Sequence, residues 1–147
     1  MKRNITSLPF VLSLLLMVSF IAASCGSSRR TVGIEEGWEL LGEEKVNFVR
    51  DRDEIDVRSR NQFTAIRFKV EERDIRLQDL EITYQNGDKL TPAIDIEIPA
   101  GQSSRIIELA ADGKYIDKIS FSYRTTGNLL KGRAKVLVLG KRYNPGY

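Results

Sequence analysis

The sequence predicts an all-β fold: an antiparallel, jelly-roll-like β-sandwich of about eight strands that follows an N-terminal signal peptide. Apolar and polar residues alternate along several short segments. The segment Ile94-Asp95-Ile96-Glu97-Ile98 alternates throughout, and residues 63–70 and 119–124 follow the same pattern. Such alternation is typical of half-buried antiparallel strands, with one face in the core and the other in solvent. A closed barrel built from the same strands is the alternative fold.

Glycine-containing turns separate the alternating segments. Asn86-Gly87 predicts a hairpin tip, because both residues tolerate the positive φ of a type I′ turn, and Asp112-Gly113 predicts a second tip. Pro99-Ala100-Gly101-Gln102 predicts a further turn. No helix is expected between Ile66 and Ile98. The predicted strands cover roughly residues 38–48, 53–58, 63–71, 75–84, 93–98, 104–109, 115–124 and 133–141.

The alternation changes phase at two places within the predicted strands. Ile75 and Leu77 are odd-numbered, whereas the apolar residues from Leu80 onward are even-numbered, and Ile116 is followed by Ile119. One extra residue reverses the facing of every side chain after it, so each change predicts a β-bulge or a bend between sheets. The residues that we expect to face the core are Ile66, Phe68, Val70, Ile94, Ile96, Ile98, Phe121 and Val136.

The N-terminus has the three parts of a secretory signal. Lys2 and Arg3 precede an apolar run over residues 8–23, and small residues lead up to Cys25. The run is short for a membrane-spanning helix, which needs about 20 apolar residues. Ala22-Ala23-Ser24-Cys25 resembles the bacterial lipobox, although Leu usually stands where this chain has Ala22. The resemblance implies cleavage between Ser24 and Cys25 and lipid attachment to Cys25. The alternative is an ordinary secretory signal followed by a chance cysteine.

The predicted domain organisation follows from this signal. Residues 1–24 form the signal peptide, residues 25–36 a flexible tether, residues 37–142 the sandwich, and residues 143–147 a C-terminal tail. We expect a protein of the bacterial cell envelope, anchored by lipid to the outer membrane and facing the periplasm. Gly26 supports this location, because an Asp after the cysteine would signal retention in the inner membrane.

Composition narrows the chemistry of the mature chain. The whole chain has a formal charge of +3, and removing the signal takes away Lys2 and Arg3 but no acid, which leaves +1. This balance argues against a nucleic-acid partner. The chain contains no His, and its one Cys lies in the lipobox. We therefore expect neither a cofactor nor a bound metal, and we expect a non-catalytic protein.

Several segments of the predicted sandwich form a recognisable set. They are Trp38-Glu39-Leu40-Leu41-Gly42, Val46-Asn47-Phe48, Asp51-Arg52-Asp53-Glu54-Ile55-Asp56-Val57, Phe63-Thr64-Ala65-Ile66-Arg67-Phe68, Val70, Tyr84-Gln85-Asn86-Gly87, Ile116-Asp117-Lys118-Ile119, Tyr123-Arg124 and Val136-Leu137-Val138-Leu139-Gly140. Together these segments resemble a family of small secreted bacterial β-sandwich domains of unknown function. The resemblance implies the fold and assigns no activity or site residue.

Three groups of residues are candidates for binding. The acids from Asp51 to Asp56 suggest a Ca²⁺ loop, but the intervening arginines favour a solvated turn paired with its own charges. Exposed aromatic residues would suit a carbohydrate, although core packing is the simpler interpretation for each. The aromatic candidates are Trp38, Tyr84, Tyr115, Tyr123 and Tyr143. Basic residues over 131–142 predict an exposed patch, with a solvated strand face as the alternative.

Taken together, these observations predict a lipid-anchored binding or structural module. The expected partners are the membrane, through the anchor, and an envelope protein or a glycan. A carbohydrate-binding module is the alternative function, and an enzyme of unfamiliar type is a third. An exposed aromatic groove would favour a glycan, whereas a flat charged face would favour a protein.

Overall fold

The computed structural model describes residues 34–46, 51–126 and 133–146. The predicted signal peptide, Ser24, Cys25 and Lys131 lie outside the described residues. The described residues form nine strands and contain no helix. The strands are β1 (Trp38–Val46), β2 (Asp51–Asp56), β3 (Phe63–Glu71), β4 (Ile75–Tyr84), β5 (Lys89–Leu90), β6 (Ile96–Ile98), β7 (Ile107–Glu108), β8 (Ile116–Thr125) and β9 (Ala134–Arg142).

The strands form two antiparallel sheets. The first sheet has the order β1-β9-β3-β7, and the second has the order β2-β8-β4-β5, with β6 also paired to β4. The inner faces of the two sheets share one hydrophobic core. The predicted β-sandwich is thereby confirmed. Each of the eight predicted strands has a counterpart, and β5 is a short additional strand that closes the hairpin after Asn86-Gly87.

The apolar phase of the alternation identifies the core correctly. Seven of the eight residues predicted to face it are buried: Ile66, Phe68, Val70, Ile94, Ile98, Phe121 and Val136. The eighth, Ile96, is half-buried and packs against the same cluster. Phe68 of β3 and Phe121 of β8 meet across the two sheets in an edge-to-face contact, with ring centroids 5.3 Å apart.

Both phase changes correspond to β-bulges in the second sheet, and neither is a bend between sheets. The pairing of β4 with β8 shifts between Leu77 and Asp79, and it shifts again where Thr83 and Tyr84 face Lys118 and Ile116. These are the two places where the alternation changes phase. Further shifts occur in the first sheet, at Leu41 in β1 and at Thr64 in β3.

The turn at Asn86-Gly87 lies at a hairpin tip as predicted, but its type differs. Gly87 has φ +89°, whereas among the described non-glycine residues only Glu72 has a positive φ. The Gly87 amide donates to the Tyr84 carbonyl at 2.9 Å, and the Tyr84 amide donates to the Asp88 carbonyl at 2.9 Å. This pattern is that of a three-residue loop in which a glycine forms a G1 bulge. The prediction of a type I′ turn is therefore wrong.

Asp112-Gly113 is a turn, but not a hairpin tip. The preceding strand β7 pairs with β3 in the first sheet, and the following strand β8 belongs to the second sheet. The turn closes with a hydrogen bond from the Gly113 amide to the Ala110 carbonyl at 3.1 Å. Its function is to carry the chain from one sheet to the other, so the predicted hairpin is wrong.

Trp38 lies on the outer face of the first sheet, so its predicted place in the core is wrong. It is half-buried, and the guanidinium carbon of Arg67 lies 4.3 Å from the centroid of its ring. Arg67 also forms an ion pair with Glu35 at 3.3 Å. The ring and the guanidinium group thus form a cation–π contact on the side of β3 that faces away from the core.

Candidate functional site

The principal cavity lies where four separate chain segments meet beside the ends of β1 and β9. Its volume is about 530 Å³, and its walls include Arg60, Asn61, Gln62, Arg142 and Tyr143. A second cavity of about 250 Å³ adjoins it and includes Gln85, Asn86 and Lys114. Gln62 and Tyr115 line both cavities. We call the two cavities together the end groove.

Backbone hydrogen bonds connect the segments that form the end groove. The Arg142 amide donates to the Gly37 carbonyl at 2.9 Å, and the Tyr143 amide donates to the Gln62 carbonyl at 2.8 Å. The Gln85 amide donates to the Tyr115 carbonyl at 3.0 Å. The walls of the groove are therefore fixed to one another by main-chain contacts, as in preformed ligand sites.

Gly113 allows two of these walls to approach closely. Its φ is +69°, a conformation that glycine adopts without steric cost. A Cβ atom at this position would lie 2.6 Å from the Cβ atom of Tyr143 and 3.1 Å from that of Gln62. The glycine thus lets the Asp112-Gly113 turn pack directly against the segment after β9.

Side chains in the groove are mostly planar and polar. Asn61 donates from Nδ2 to Glu39 Oε2 at 2.7 Å, and Asn86 is held by Asp88 through two hydrogen bonds of 2.7 and 3.0 Å. Lys114 and Asp112 form an ion pair at 3.5 Å. The groove therefore offers amide and guanidinium groups, some of them already oriented by neighbours.

The five aromatic candidates divide between core, sheet surface and groove. Tyr84 and Tyr123 are buried in the core, as expected, and burial raises the pKa of the Tyr84 phenol. Tyr143 is half-buried, and Tyr115 has 45% of its surface exposed. The simpler interpretation, core packing, is therefore wrong for Tyr115. A signal for its exposure exists in the sequence, because Tyr115 precedes the core residue Ile116 and so lies on the opposite phase of the strand.

The acidic segment from Asp51 to Asp56 is strand β2, so a Ca²⁺ loop and a solvated turn are both wrong as interpretations of it. Successive side chains of a strand point to opposite faces and cannot surround one ion together. Asp53 accepts a hydrogen bond from the Tyr123 hydroxyl at 2.7 Å, while Glu54 contacts Lys118 at 2.6 Å. In the described part of the chain, no three His, Cys, Asp or Glu residues are grouped as a metal site would need.

The basic stretch over residues 131–142 is not a continuous exposed patch. Residues 134–140 lie in β9, between β1 and β3, and both faces of this strand are largely buried. Lys135 is mostly covered and pairs with Glu43 at 2.7 Å. Exposed charges remain at Arg133, Lys141 and Arg142. The expectation of an exposed patch over residues 131–142 is therefore wrong, because most of β9 is covered on both faces.

Cross-strand pairs on the outer face of the second sheet account for much of its charge. Arg76 binds Asp95 through two hydrogen bonds of 2.6 Å, and Lys89 contacts Glu81 at 3.0 Å. A cavity of about 220 Å³ lies on this face. Ser122 at its wall donates a hydrogen bond to Asp79. These pairs satisfy one another, so this face has less to offer a ligand than the end groove.

The Glu54–Lys118 pair predicts how acid affects stability. The hydrogen bond from Lys118 lowers the pKa of the Glu54 carboxyl in the folded protein below its ordinary value. The stabilisation is complete above the unfolded-state pKa and is lost as the pH falls through the folded-state pKa. Between about pH 6 and about pH 3, we expect the wild type to lose more unfolding free energy than Glu54→Gln. Urea denaturation at each pH measures the difference.

Glu108→Gln is the control for this comparison. Glu108 is an exposed glutamate on β7, in the other sheet. As the pH falls, the Glu108→Gln variant should lose as much unfolding free energy as the wild type does. If Glu54→Gln and Glu108→Gln lose stability equally, the pair with Lys118 does not contribute to the acid response.

The fold and the groove together define this chain as an antiparallel β-sandwich with a polar, tyrosine-bearing groove at one end. The chain belongs to the family described as a domain of unknown function (DUF2541), whose model matches residues 10–140. This match confirms the prediction of an uncharacterised domain family. No curated protein and no solved structure matches the chain. Within the described residues, there is no helix with the length and apolar character needed to cross a membrane.

Proposed function

We propose that this protein is a lipid-anchored protein of the bacterial cell envelope and that its β-sandwich is a non-catalytic binding module. The observation that carries the binding role is the end groove, in which planar polar side chains surround the exposed ring of Tyr115. Ligand sites are commonly concave and preformed, with a few convergent polar groups. The groove has these properties.

Residue types within the chain support a non-catalytic role. The chain contains no His, and its one Cys is the proposed lipid attachment site. The usual general base and the usual thiol nucleophile are therefore both missing from the sandwich. Asp53 and Glu54, two of the acids that suggested a Ca²⁺ loop, are engaged by Tyr123 and Lys118 within the fold.

The lipobox-like segment supports the anchor. Small residues at 22–24 precede Cys25, and a polar tether leads from it to the start of β1 at Trp38. Acylation at Cys25 with several chains would hold the protein stably at a membrane surface, since two lipid signals already suffice. The outer membrane, facing the periplasm, is the proposed location. A tether of this kind would keep the sandwich close to envelope polymers and proteins.

Metabolic labelling with palmitate tests the anchor. We expect the wild type to incorporate labelled palmitate and to fractionate with the outer membrane. Cys25→Ala should lose all label, because the thiol is the acylation point, and it should keep the uncleaved signal. Ser24→Ala is the matched control and should be labelled, because it retains a small residue at the cut. Label in Cys25→Ala, or none in the wild type, contradicts the proposal.

A further inference from the structure

We infer that the end groove binds an oligosaccharide and that the ring of Tyr115 stacks on the apolar face of one sugar. This inference rests on the proposed function, since it names the ligand class of the binding module. It also goes beyond the sequence, which leaves a glycan and a protein partner as alternatives and offers the aromatic residues only as candidates.

Tyr115 is the first observation that supports a sugar. Tyr115 is 45% exposed as a residue, whereas Tyr84 is 9% exposed and Tyr123 is fully buried. Tyr115 also lines both cavities of the groove, so a ligand that occupies either cavity meets it. A sugar ring has a face of C–H groups and an edge of hydroxyls. An exposed aromatic side chain with an apolar body and a polar tip matches both parts.

The polar groups around Tyr115 are the second observation. Gln62 lines both cavities, while Arg60, Asn61 and Arg142 line the larger one. An amide offers a donor and an acceptor side by side, and a guanidinium offers a fork of donors. Neighbouring hydroxyls of a sugar both donate and accept, so they suit these planar groups. A purely apolar ligand would leave many of the same groups unpaired, which is costly.

The charge and the size of the groove narrow the class of ligand further. The larger cavity contains Arg60 and Arg142 against one carboxylate, Glu36, and the smaller one contains the paired Lys114 and Asp112. This slight positive excess accepts a neutral sugar or one that bears a carboxylate. The volume of about 530 Å³ lies within the range of ligand sites, about 300–1,000 Å³. The adjoining cavity extends the groove past Tyr115, which fits a chain of several sugars.

Preorganisation is the third observation. Hydrogen bonds between backbone groups join residues 37 and 142, 62 and 143, and 85 and 115. Asn61 and Asn86 are oriented by Glu39 and Asp88. A site whose walls are already fixed loses little conformational entropy on binding.

Titration with defined trisaccharides tests the inference. The probes are N-acetylchitotriose and cellotriose as neutral sugars and trigalacturonate as an acidic one. The full-length chain is used in a detergent without a sugar headgroup, and binding is measured by calorimetry and by NMR shifts. We expect at least one probe to bind with a Kd below about 1 mM. Comparison of the neutral and acidic probes then shows whether Arg60 and Arg142 select a carboxylate.

Variants at Tyr115 separate stacking from fold. We expect Tyr115→Ala to weaken binding about tenfold or more, and Tyr115→Phe, which keeps the ring, to stay within about threefold of the wild type. Ile106→Ala is the matched control, because Ile106 is 44% exposed and does not line the groove. It should bind like the wild type. Thermal melts of all three variants establish that each is folded.

Two results would overturn the inference: none of the three trisaccharides binds the wild type, or Tyr115→Ala binds as tightly as the wild type. Neither result contradicts the proposed lipid anchor, provided that Cys25 still incorporates labelled palmitate. If a protein partner then crosslinks to residues of the groove, the proposal of a binding module stands, and its ligand is a protein instead of a sugar. Release of shorter sugars from a bound probe would instead contradict the non-catalytic role.

Discussion

Replacing Phe68 by Ala is expected to lower the free energy of unfolding by about 3–5 kcal/mol. Phe68 is fully buried in β3, and its ring meets Phe121 at 5.3 Å with an interplanar angle of 70°. Phe121 in turn lies 5.9 Å from Tyr123. The substitution removes a large apolar group from the contact between the two sheets and leaves a cavity. Since small domains have a total stability of about 5–15 kcal/mol, the loss is a large part of it.

Urea denaturation, followed by the fluorescence of Trp38, measures this loss. Phe68→Leu is the graded control and should cost clearly less, because most of the buried volume remains. Phe121→Ala should cost as much as Phe68→Ala. The double variant should cost less than the two single variants together, since the rings contact each other. A loss below about 1 kcal/mol for Phe68→Ala would contradict the packing of the two sheets through these rings.

Arg67, one residue before Phe68, illustrates a limit of the alternating pattern. Its position on the polar phase predicts a solvated side chain, and replacement by Ala would then cost under about 0.5 kcal/mol. In the structure its side chain is 15% exposed and contacts both Trp38 and Glu35. The pattern correctly predicts that Arg67 faces away from the core. It contains no information on what other segments place on that outer face.

The predicted features of the fold depend on period-two patterns within single strands. Ile66, Phe68 and Val70 are buried as predicted, and both changes of phase correspond to shifts in pairing. In these strands the apolar phase faces the core, so residue order within the strand determines which way a side chain faces. Features that depend on how strands are arranged relative to one another are harder to predict from the sequence. The type of the Asn86-Gly87 turn and the course of the chain after Asp112-Gly113 depend on the strands that flank them.

Strand order explains the error over residues 131–142. The basic residues of this stretch suggest an exposed face, but β9 lies between β1 and β3. Leu137 and Leu139 are buried although they lie on the outward phase. Leu139 stands opposite Leu40 on one neighbouring strand and Arg67 on the other. Side chains that face each other across strands pack together, and no local pattern predicts which strands become neighbours.

The end groove could not be predicted from the sequence as a site. Its residues come from near residue 37, from the loop between β2 and β3, from the two turns at 85–86 and 112–115, and from the segment after β9. These segments are far apart in the chain, so no motif spacing connects them. What the sequence does indicate is the chemistry at single positions. Tyr115 precedes a core residue, which predicts an outward-facing ring.

Gly140 gives the second large expected effect. It lies in β9, opposite Ile66 of β3 and Glu39 of β1. A Cβ atom at this position would lie 2.6 Å from Cδ1 of the Phe63 ring and 2.9 Å from Cδ1 of Leu41. Both side chains are buried, so neither can move away without disturbing its own packing. We expect Gly140→Ala to lower the free energy of unfolding by about 1–3 kcal/mol, as overpacked cores do.

The direction of this effect makes the prediction specific. Where a glycine is free of contacts and has ordinary φ, replacement by Ala usually stabilises a protein by about 0.4–1 kcal/mol through the unfolded chain. Gly146 is the matched control, because a Cβ atom there would meet nothing within 4 Å and the residue is exposed beyond the last strand. Gly146→Ala should therefore leave the free energy of unfolding almost unchanged. A clear loss for Gly140→Ala without a loss for Gly146→Ala, both measured by urea denaturation, would support the contact, and equal effects would contradict it.

A second substitution tests whether the ring of Phe63 is the cause. Phe63→Leu removes the ring atoms that a Cβ atom at residue 140 would meet, including Cε1 at 2.9 Å. Alone, Phe63→Leu should destabilise, because Phe63 is fully buried. Combined with Gly140→Ala, it should cost less than the sum of the two, because each change offsets the packing defect of the other. Strict additivity would mean that the strain at residue 140 is relieved elsewhere, and Leu41 would then be the contact to test.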